Sequence, residues 1–364
     1  MVEVNIQSVW KYYGKTAAVK DLNLKCPENS FLAILGPSGC GKSSTLRMLA
    51  GLEHISAGEI FFGAVRVNQL PPKERDIAMV FENYALYPHK TVFENMANPL
   101  RLRNVNREEI DKRVRRAAEL LQIDMLLDRK PMQLSGGQKQ RTAIGRAIVR
   151  EPKVFLFDEP IAHLDAKLRA HMRGELKHLQ RRLETTTIYV THDQLEAMSM
   201  ADSIAVMHEG VLQQFGTPSD IYNHPANEWV AGFVGEPPMN FLNCRIEQGT
   251  SGVAVVHPSF RLILNDVQRR LLEEKGAEVE VRLGARPDTI AYRPGANSGL
   301  DVPAKVYVTE PLGGDMIVEV QLGADRLTVK TKIGPSANLD DPCTIGFDAS
   351  RVHLFAASNG IAYF

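Results

Sequence analysis

The sequence predicts an α/β domain with a helical insertion, followed by a smaller all-β domain. Strand-like apolar runs alternate with helical patterns over residues 150–234, as is typical of an α/β domain. A helical pattern from about residue 94 to residue 150 predicts the insertion. From residue 235 onward, short stretches alternate apolar and polar side chains between turn residues, which favours a small barrel or sandwich. The predicted boundaries are 1–234 for the first domain, about 83–150 for its helical subdomain, and 235–364 for the second domain.

The first 35 residues predict short strands. Apolar residues alternate over 2–6 and 22–24, and residues 31–35 form a continuous apolar run. An aromatic pair, Tyr12 and Tyr13, lies at a turn between the strands predicted at 2–6 and 22–24. The apolar run leads directly into a glycine-rich segment, which therefore lies where a strand turns into a helix.

That segment has the pattern of a phosphate-binding loop, or P-loop, although the bare pattern also occurs by chance in glycine-rich turns. It consists of Gly36, Pro37, Ser38, Gly39, Cys40, Gly41, Lys42, Ser43 and Ser44. Glycines let the backbone wrap around a phosphate chain, and the N-terminus of the following helix adds favourable partial charge. We expect Lys42 to reach the β- and γ-phosphates and the Ser43 hydroxyl to bind magnesium.

Further elements follow from hydrophobic periodicity. Residues 107–122 place apolar side chains on one face and charged side chains on the other, which predicts an amphipathic helix. The remaining expected elements are strands at 58–63, 77–81, 153–157, 186–191, 278–283 and 318–322, and helices at 45–50, 168–183 and 267–274.

Two carboxylates, Asp158 and Glu159, directly follow the strand predicted at 153–157. Open α/β sheets bind their ligands at the carboxyl ends of strands. Asp158 is suited to hold magnesium through water, and Glu159 to activate a water molecule as general base. Two acidic residues after a strand often lie in a solvated turn without a function. The P-loop upstream in the same chain favours the catalytic interpretation of this pair.

A second candidate anion cradle is formed by Ser135, Gly136, Gly137 and Gln138, which precede a helical stretch. A serine and two glycines at a helix N-terminus can bind an anion, or can simply cap the helix. One triphosphate hardly needs two cradles from the same subunit. The segment therefore raises the question of a second chain.

Composition limits the partners and the compartment. The chain has 43 basic and 43 acidic residues, which gives no reason to propose nucleic acid as a partner. Its four cysteines are far apart and fit free thiols in a reducing compartment. The N-terminus lacks a basic segment followed by an apolar one, and no stretch of 18 apolar residues occurs. We expect a cytoplasmic protein without a membrane span of its own.

Five motifs in order resemble the ATPase subunits of ABC transporters: the P-loop, residues 134–138, residues 154–159, residues 164–165 and residues 191–193. The resemblance covers residues 2–234. Longer phrases at 84–89 and 216–218 resemble the carbohydrate importers of the maltose and glycerol-phosphate type. The resemblance implies an α/β P-loop ATPase domain with a helical insertion, followed by an all-β regulatory domain of the oligosaccharide-binding-fold kind.

The resemblance also implies roles and partners. Tyr13 would stack on adenine, His192 would contact the γ-phosphate, and Asp165 would lie in a loop at the subunit interface. Two ATPase subunits, expected as a homodimer or with a close relative, would sandwich each ATP between the P-loop of one and Ser135–Gln138 of the other. The dimer would sit at the cytoplasmic face of the cell membrane beneath two membrane-spanning permease subunits, served indirectly by an extracytoplasmic solute-binding protein.

Two positions depart from the family pattern. Glu82 stands where the family has a glutamine that contacts magnesium and the attacking water. A carboxylate there could bind magnesium directly or add negative charge beside Glu159, so we expect a shifted magnesium or pH dependence of turnover. His163 replaces a more usual serine or asparagine and is interpreted as a tolerated variant.

Three alternatives remain open at the level of sequence. An importer of sulfate, molybdate, iron or polyamines would share almost every motif. A soluble ABC ATPase of DNA repair or translation would normally need a coiled-coil insertion or a second cassette, and neither is present. The third alternative is a regulatory module that binds ATP but hydrolyses it weakly, and the argument for it depends on Glu82 alone.

Overall fold

The computed structural model describes residues 2–81, 83–249, 252–295, 302–332 and 338–364. The chain forms two compact units, Met1–Pro218 and Ser219–Phe364. Tertiary contacts thus group residues 219–234 with the second unit, whereas the sequence pattern predicts the boundary at 234/235.

The described residues of the first unit form two sheets. The strands of the six-stranded sheet, in spatial order, are β10 (Val211–Gly216), β9 (Ser203–His208), β3 (Phe31–Leu35), β8 (Thr186–Thr191), β7 (Val154–Asp158) and β6 (Ile77–Val80). Strand β10 pairs antiparallel with β9, whereas the other neighbouring strands described in this sheet pair parallel. Every residue of β3 and β8 is buried, as expected for parallel strands covered on both faces.

The smaller sheet is antiparallel and has the order β2 (Thr16–Cys26), β1 (Val4–Tyr13), β4 (Ala57–Phe62) and β5 (Val65–Arg66). The strands predicted from the alternation at 2–6 and 22–24 are present as β1 and β2. Val4 and Ile6 of β1 share one hydrophobic core with Leu32 and Ile34 of β3 and with Leu46 of the helix that follows the P-loop. This core holds the glycine-rich loop between the two sheets.

The helices of the first unit are α1 (Lys42–Ala50), α2 (Val92–Arg101), α3 (Arg107–Leu120), α4 (Gly136–Ile148), α5 (Ala166–Leu183) and α6 (Gln194–Met200). Three of them, α2 to α4, account for the helical pattern predicted over residues 94–150. Helix α3 buries Ile110, Val114, Ala117 and Ala118, as its amphipathic pattern predicts.

The second unit is mainly β, as predicted. One sheet has the order β13 (Phe260–Ile263), β12 (Gly252–His257), β11 (Asn240–Gly249), β14 (Glu280–Ala285) and β20 (His353–Ala356). The other has the order β15 (Ile290–Pro294), β19 (Pro342–Phe347), β16 (Val302–Leu312), β17 (Asp315–Leu322) and β18 (Asp325–Lys332). Both sheets contribute side chains to one core, which includes Leu283 of β14 and Val318 of β17.

In the described segments, these sheets are accompanied by three α-helices: α7 (Pro218–Asn223), α8 (Glu228–Phe233) and α9 (Asp266–Glu274). The buried Arg286 explains why α7 and α8 belong with the second unit. Its guanidinium donates to the carbonyls of Tyr222, at 2.7 Å, of Ala231, at 3.1 Å, and of Val234. A charged group that satisfies the ends of both helices fixes them to the β domain.

Candidate active site

The P-loop joins β3 to α1 and depends on close backbone approaches. A Cβ atom at Gly36 would lie 2.2 Å from the carbonyl oxygen of Met207, which belongs to β9. Gly41 immediately precedes α1 with φ of 103°, a conformation that glycine adopts without strain. A Cβ atom there would lie 2.5 Å from the carbonyl oxygen of Ala18. The two glycines are therefore required by the fold as well as by the predicted phosphate site.

Lys42 is the first residue of α1, and only 5% of it is exposed. Its ammonium group donates to the carbonyl oxygens of Gly36, at 2.8 Å, and Pro37, at 3.0 Å. The buried thiol of Cys40 lies 4.0 Å from the same nitrogen, and burial raises the pKa of this thiol. The loop thus curls around the Lys42 ammonium, where a phosphate chain would find a positive charge beside a helix N-terminus.

Ser43 and Asp158 meet across the site. The Ser43 hydroxyl donates to Asp158 Oδ1 at 3.0 Å, which joins the start of α1 to the end of β7. Hydroxyl and carboxylate oxygens are hard ligands of the kind that Mg²⁺ prefers, and Mg²⁺ often takes only one or two protein ligands beside substrate phosphates. No group of three His, Cys, Asp or Glu side chains within the described ranges is arranged to hold a metal. The pair therefore fits a magnesium ion shared with a nucleotide.

Glu159 and His192 form the next pair. His192 Nδ1 lies 2.8 Å from Glu159 Oε2, and the backbone N–H of Glu159 donates to the carbonyl of Val190 at 3.0 Å. Glu159 has a φ of 45°, in the left-handed region. This conformation costs about 1 kcal/mol for a residue other than glycine. The strained turn presents the carboxylate beside Asp158 and at the carboxyl ends of β7 and β8.

A buried carboxylate binds the end of β8, directly before His192. Glu196, on α6, accepts hydrogen bonds from the hydroxyls of Tyr189, at 2.8 Å, and Thr191, at 2.7 Å. Only 2% of Glu196 is exposed, and burial raises its pKa. Because Thr191 directly precedes His192, this buried cluster limits where the imidazole can lie.

Tyr13 approaches the P-loop helix from the end of β1. Its hydroxyl lies 3.1 Å from Ser44 Oγ and also donates to the carboxylate of Glu53. Burial and the bond to Glu53 raise the pKa of the Tyr13 hydroxyl. Lys11 lies over the ring, 4.8 Å from its centroid. The stacking of Tyr13 on adenine stays a prediction, but its ring is placed beside the P-loop helix.

Residues Ser135–Gln138 form the N-terminus of α4. The Ser135 hydroxyl accepts from the backbone N–H of Gln138 at 3.4 Å, and the Gln138 side chain accepts from the N–H of Ser135 at 3.0 Å. Positions for a Cβ at Gly136 and Gly137 lie 3.2 Å from Leu164 and 3.0 Å from Leu168. The turn therefore packs against the start of α5.

The start of α5 is capped by Asp165, whose Oδ1 accepts from the backbone N–H of Leu168 at 2.9 Å. Asp165 is thus placed beside the Ser135–Gln138 turn. The predicted site residues that the structure describes fall into two groups, one around the P-loop and the ends of β7 and β8, and one at the adjoining starts of α4 and α5.

Glu82, predicted as a magnesium ligand, lies outside the described residues. The loop that follows it is held to α4 by Arg146, which donates to the carbonyls of Tyr84, at 2.9 Å, and Ala85, at 2.6 Å. Tyr84 and Ala85 both have positive φ, 59° and 45°. The magnesium role of Glu82 and its effect on turnover stay predictions.

Sequence reasoning missed several residues of this region. Glu53 beside Tyr13, Glu196 beneath His192, and the pair of Arg169 and Asp193 were not singled out for a role. Charged residues are mostly exposed in folded proteins, so their residue type alone does not mark these four for a role, although Asp193 belongs to the motif at 191–193. Only the tertiary contacts bring them to the site.

The family described as "ABC transporter" matches residues 19–162, and the "MalK OB fold domain" matches residues 235–290. The chain is 48% identical to the trehalose/maltose import ATP-binding protein MalK of Thermococcus litoralis over 100% of both chains. The chain belongs to the ATP-binding subunits of ABC transporters.

Other members of the ABC transporter family are similarly close. The sn-glycerol-3-phosphate import ATP-binding protein UgpC 3 of Rhizobium etli is 48% identical over 99% of both chains. The oligosaccharides import ATP-binding protein MsmX of Bacillus subtilis is 45% identical over 98% of both. The predicted fold class, with its OB-fold second domain, is confirmed.

Solved ABC structures match the ATPase part. A dimeric ATP-binding cassette in a post-hydrolysis state, bound to ADP and Pi, has a TM-score of 0.53 and 32% identity. That match covers 59% of this chain and 98% of the solved chain. A subunit of the cbiONQ transporter complex from Clostridium perfringens has a TM-score of 0.56 and 29% identity. The match covers 60% of this chain and 89% of the solved chain.

The predicted activity is confirmed by this membership: the chain is an ATPase coupled to transport. As an ABC ATPase it binds ATP and works with membrane permeases. No helix in the described parts of the chain combines the length and apolar character needed to cross a membrane.

Proposed function

We propose that this ABC ATPase binds ATP with magnesium and hydrolyses it, as a homodimer, to drive uptake of a sugar, polyol or sugar phosphate. Three relatives with full-length similarity are named for import of trehalose and maltose, of glycerol 3-phosphate, and of oligosaccharides. The proposed substrate class rests on these relatives.

The observation that carries the proposed catalytic role is the convergence of four side chains from three segments. Ser43 at the start of α1 contacts Asp158 at the end of β7, and Glu159 after β7 contacts His192 after β8. Lys42 directly precedes Ser43, and its ammonium donates to the carbonyl of Gly36 in the loop. Acidic, basic and hydroxyl groups at the carboxyl ends of parallel strands suit phosphoryl transfer to water.

Each of these side chains has a distinct task in the proposed reaction. Lys42 and the loop N–H groups bind the β- and γ-phosphates. Ser43 and Asp158 would hold a magnesium ion, which supplies charge neutralisation at the phosphates. Glu159 accepts a proton from the attacking water, and His192 orients the Glu159 carboxylate through Nδ1.

The second cradle completes the site from another copy of the chain. Ser135–Gln138 packs against Leu164 and Leu168 of its own subunit, beside Asp165. We place this surface over the ATP held by the partner's P-loop, so that ATP joins two subunits and hydrolysis lets them reopen.

A groove of ≈ 430 Å³ in the first unit is the proposed contact with a permease. Leu52 and Leu102 line it with 51% and 78% of their surfaces exposed, and Arg103 and Arg150 lie at the same groove. Exposed leucines beside arginines suit an amphipathic segment of a partner. Two such permeases, with the dimer at the cytoplasmic face of the membrane and a solute-binding protein outside, complete the proposed importer.

A mixing experiment tests the shared site. We expect Lys42→Ala and Ser135→Arg to be inactive alone, whereas mixed dimers regain ATPase activity of up to about a quarter of wild type. In a mixed dimer, one site combines an intact P-loop with an intact partner turn, because both substitutions fall in the other site. The measurement is phosphate release after the two proteins are mixed.

Asn106→Arg is the matched control for Ser135→Arg, because Asn106 also caps a helix, α3, through its side chain. We expect this variant to retain wild-type activity. If the Ser135 turn served its own P-loop, every chain in the mixture would carry one defect, and activity would stay absent.

The substrate class is tested with the whole importer in lipid vesicles, assembled from this chain, its permeases and its solute-binding protein. We expect sugars, polyols or sugar phosphates to stimulate ATP hydrolysis several-fold. Sulfate, molybdate, ferric iron and polyamines serve as the comparison set. Stimulation by one of these, with none by carbohydrates, would transfer the chain to the alternative importer class.

A further inference from the structure

Arg169, in the first turns of α5, contacts two separate loops of the catalytic domain. Its Nη2 donates to the carbonyl oxygens of Ala162, at 3.2 Å, and Leu164, at 3.1 Å. Its Nη1 donates to Asp193 Oδ2 at 3.3 Å. One guanidinium therefore joins the loop at residues 161–165 to the segment that carries His192.

Asp193 is itself held in place on the other side of this contact. Its Oδ1 accepts from the backbone N–H groups of Leu195, at 2.8 Å, and Glu196, at 3.2 Å, which caps α6. Its own N–H donates to Thr191 Oγ1 at 2.9 Å. Because Asp193 directly follows His192, a displacement of Asp193 moves the backbone of the imidazole.

The loop at residues 161–165 is likewise tied to the second anion cradle. Leu164 lies against Gly136, and Asp165 caps α5. The bonds from Arg169 to Ala162 and Leu164 therefore connect the surface that we place against the partner subunit with the Glu159–His192 pair.

The physical setting makes this link stiffer than a surface ion pair. The side chains of Arg169 and Asp193 are only 30% and 20% exposed. The Arg169 Nε–H is buried and has no hydrogen-bond partner in the described part of the chain. The planar fork of arginine can serve both loops at once, whereas an ammonium is a point charge on a flexible stem.

We propose that Arg169 is a positioning residue that couples the 161–165 loop to His192, so that subunit closure sets the geometry of the Glu159–His192 pair. This inference rests on the proposed function, since it requires that closure bring a partner surface onto that loop. The role proposed for Arg169 is indirect, because its guanidinium acts through Asp193 and the carbonyls of Ala162 and Leu164.

The test compares kcat with ATP affinity in the purified full chain. We expect Arg169→Met to lower kcat about tenfold, equivalent to ~1.4 kcal/mol, with ATP affinity within about twofold of wild type. Asp193→Asn keeps an oxygen for the α6 cap but replaces the acceptor of Arg169, and is expected to give a similar fall. Arg169→Lys should recover part of the activity, because it keeps the charge without the fork.

The double variant decides whether the two residues act together. If the two residues act together, the double variant Arg169→Met/Asp193→Asn should have a kcat about tenfold below wild type, like each single variant. Independent effects would multiply to a kcat about a hundredfold below wild type. Arg181→Met, an exposed position near the end of α5, is the matched control and should keep wild-type kcat. If Arg169→Met does not fold, Arg169→Lys and Asp193→Asn carry the same comparison.

The experiment distinguishes an error in the role of Arg169 from an error in the proposed function. Wild-type kcat in Arg169→Met, multiplicative losses in the double variant, or a loss confined to ATP affinity would each overturn the positioning role while hydrolysis by wild type stands. Absence of hydrolysis in the wild-type chain itself would overturn the proposed function, and this inference with it.

Discussion

Replacing Glu159 with glutamine is expected to leave ATP binding in place and to lower the rate of hydrolysis by about 10³-fold. Glutamine has nearly the same shape and can keep a contact with His192 Nδ1, which lies 2.8 Å from the carboxylate. It cannot accept a proton from the attacking water. The measurements are phosphate release at saturating ATP and the equilibrium affinity for ATP with magnesium.

Glu184→Gln is the control for this variant, because Glu184 is exposed and has a nearly equal positive φ, 49° against 45° for Glu159. The same chemical change on the same backbone conformation should leave hydrolysis unchanged. The general-base role would be wrong if Glu159→Gln kept more than about a tenth of the wild-type rate.

Gly36→Ala is expected to lower the free energy of unfolding by about 3 kcal/mol or more and to abolish ATP binding. The added Cβ would lie 2.2 Å from the Met207 carbonyl oxygen and 2.7 Å from Cys40 Sγ. The Met207 carbonyl is backbone at the end of β9, so it cannot move aside as a flexible side chain could. Urea denaturation measures the loss.

Gly39→Ala gives the matched comparison within the same loop. Gly39 has φ of 80°, and among the described residues no atom beyond its two chain neighbours lies within 4 Å of its added Cβ. This substitution therefore carries only the backbone cost, about 1 kcal/mol. Equal stability of the two alanine variants would contradict the steric argument for Gly36.

Much of the fold could be predicted because hydrophobic periodicity is local. The strand predicted at 186–191 is β8, Thr186–Thr191, and the helix predicted at 267–274 is α9, Asp266–Glu274. The P-loop was located because a buried strand, a glycine-rich turn and a helix are adjacent in the chain. Family motifs added the order of the site residues.

The domain boundary shows the limit of such patterns. Residues 219–234 continue the texture of the first domain in sequence, yet their carbonyls bond to Arg286 in β-rich surroundings. Arg286 lies more than fifty positions away from Ala231 along the chain. The contacts divide the chain after Pro218, and the boundary at 234/235 stays a prediction from the change in sequence texture.

The sequence by itself determined the P-loop between β3 and α1, the carboxylates after β7, and the family whose ATPases share this order. Tertiary structure alone decided that Ser43 meets Asp158, that Glu159 meets His192, and that the Ser135 turn packs on the start of α5. It also decided that Glu196 is buried and that Arg169 joins two loops. The reason is physical: periodicity reports which face of an element is buried, whereas a polar contact depends on where the sheet brings distant loops together.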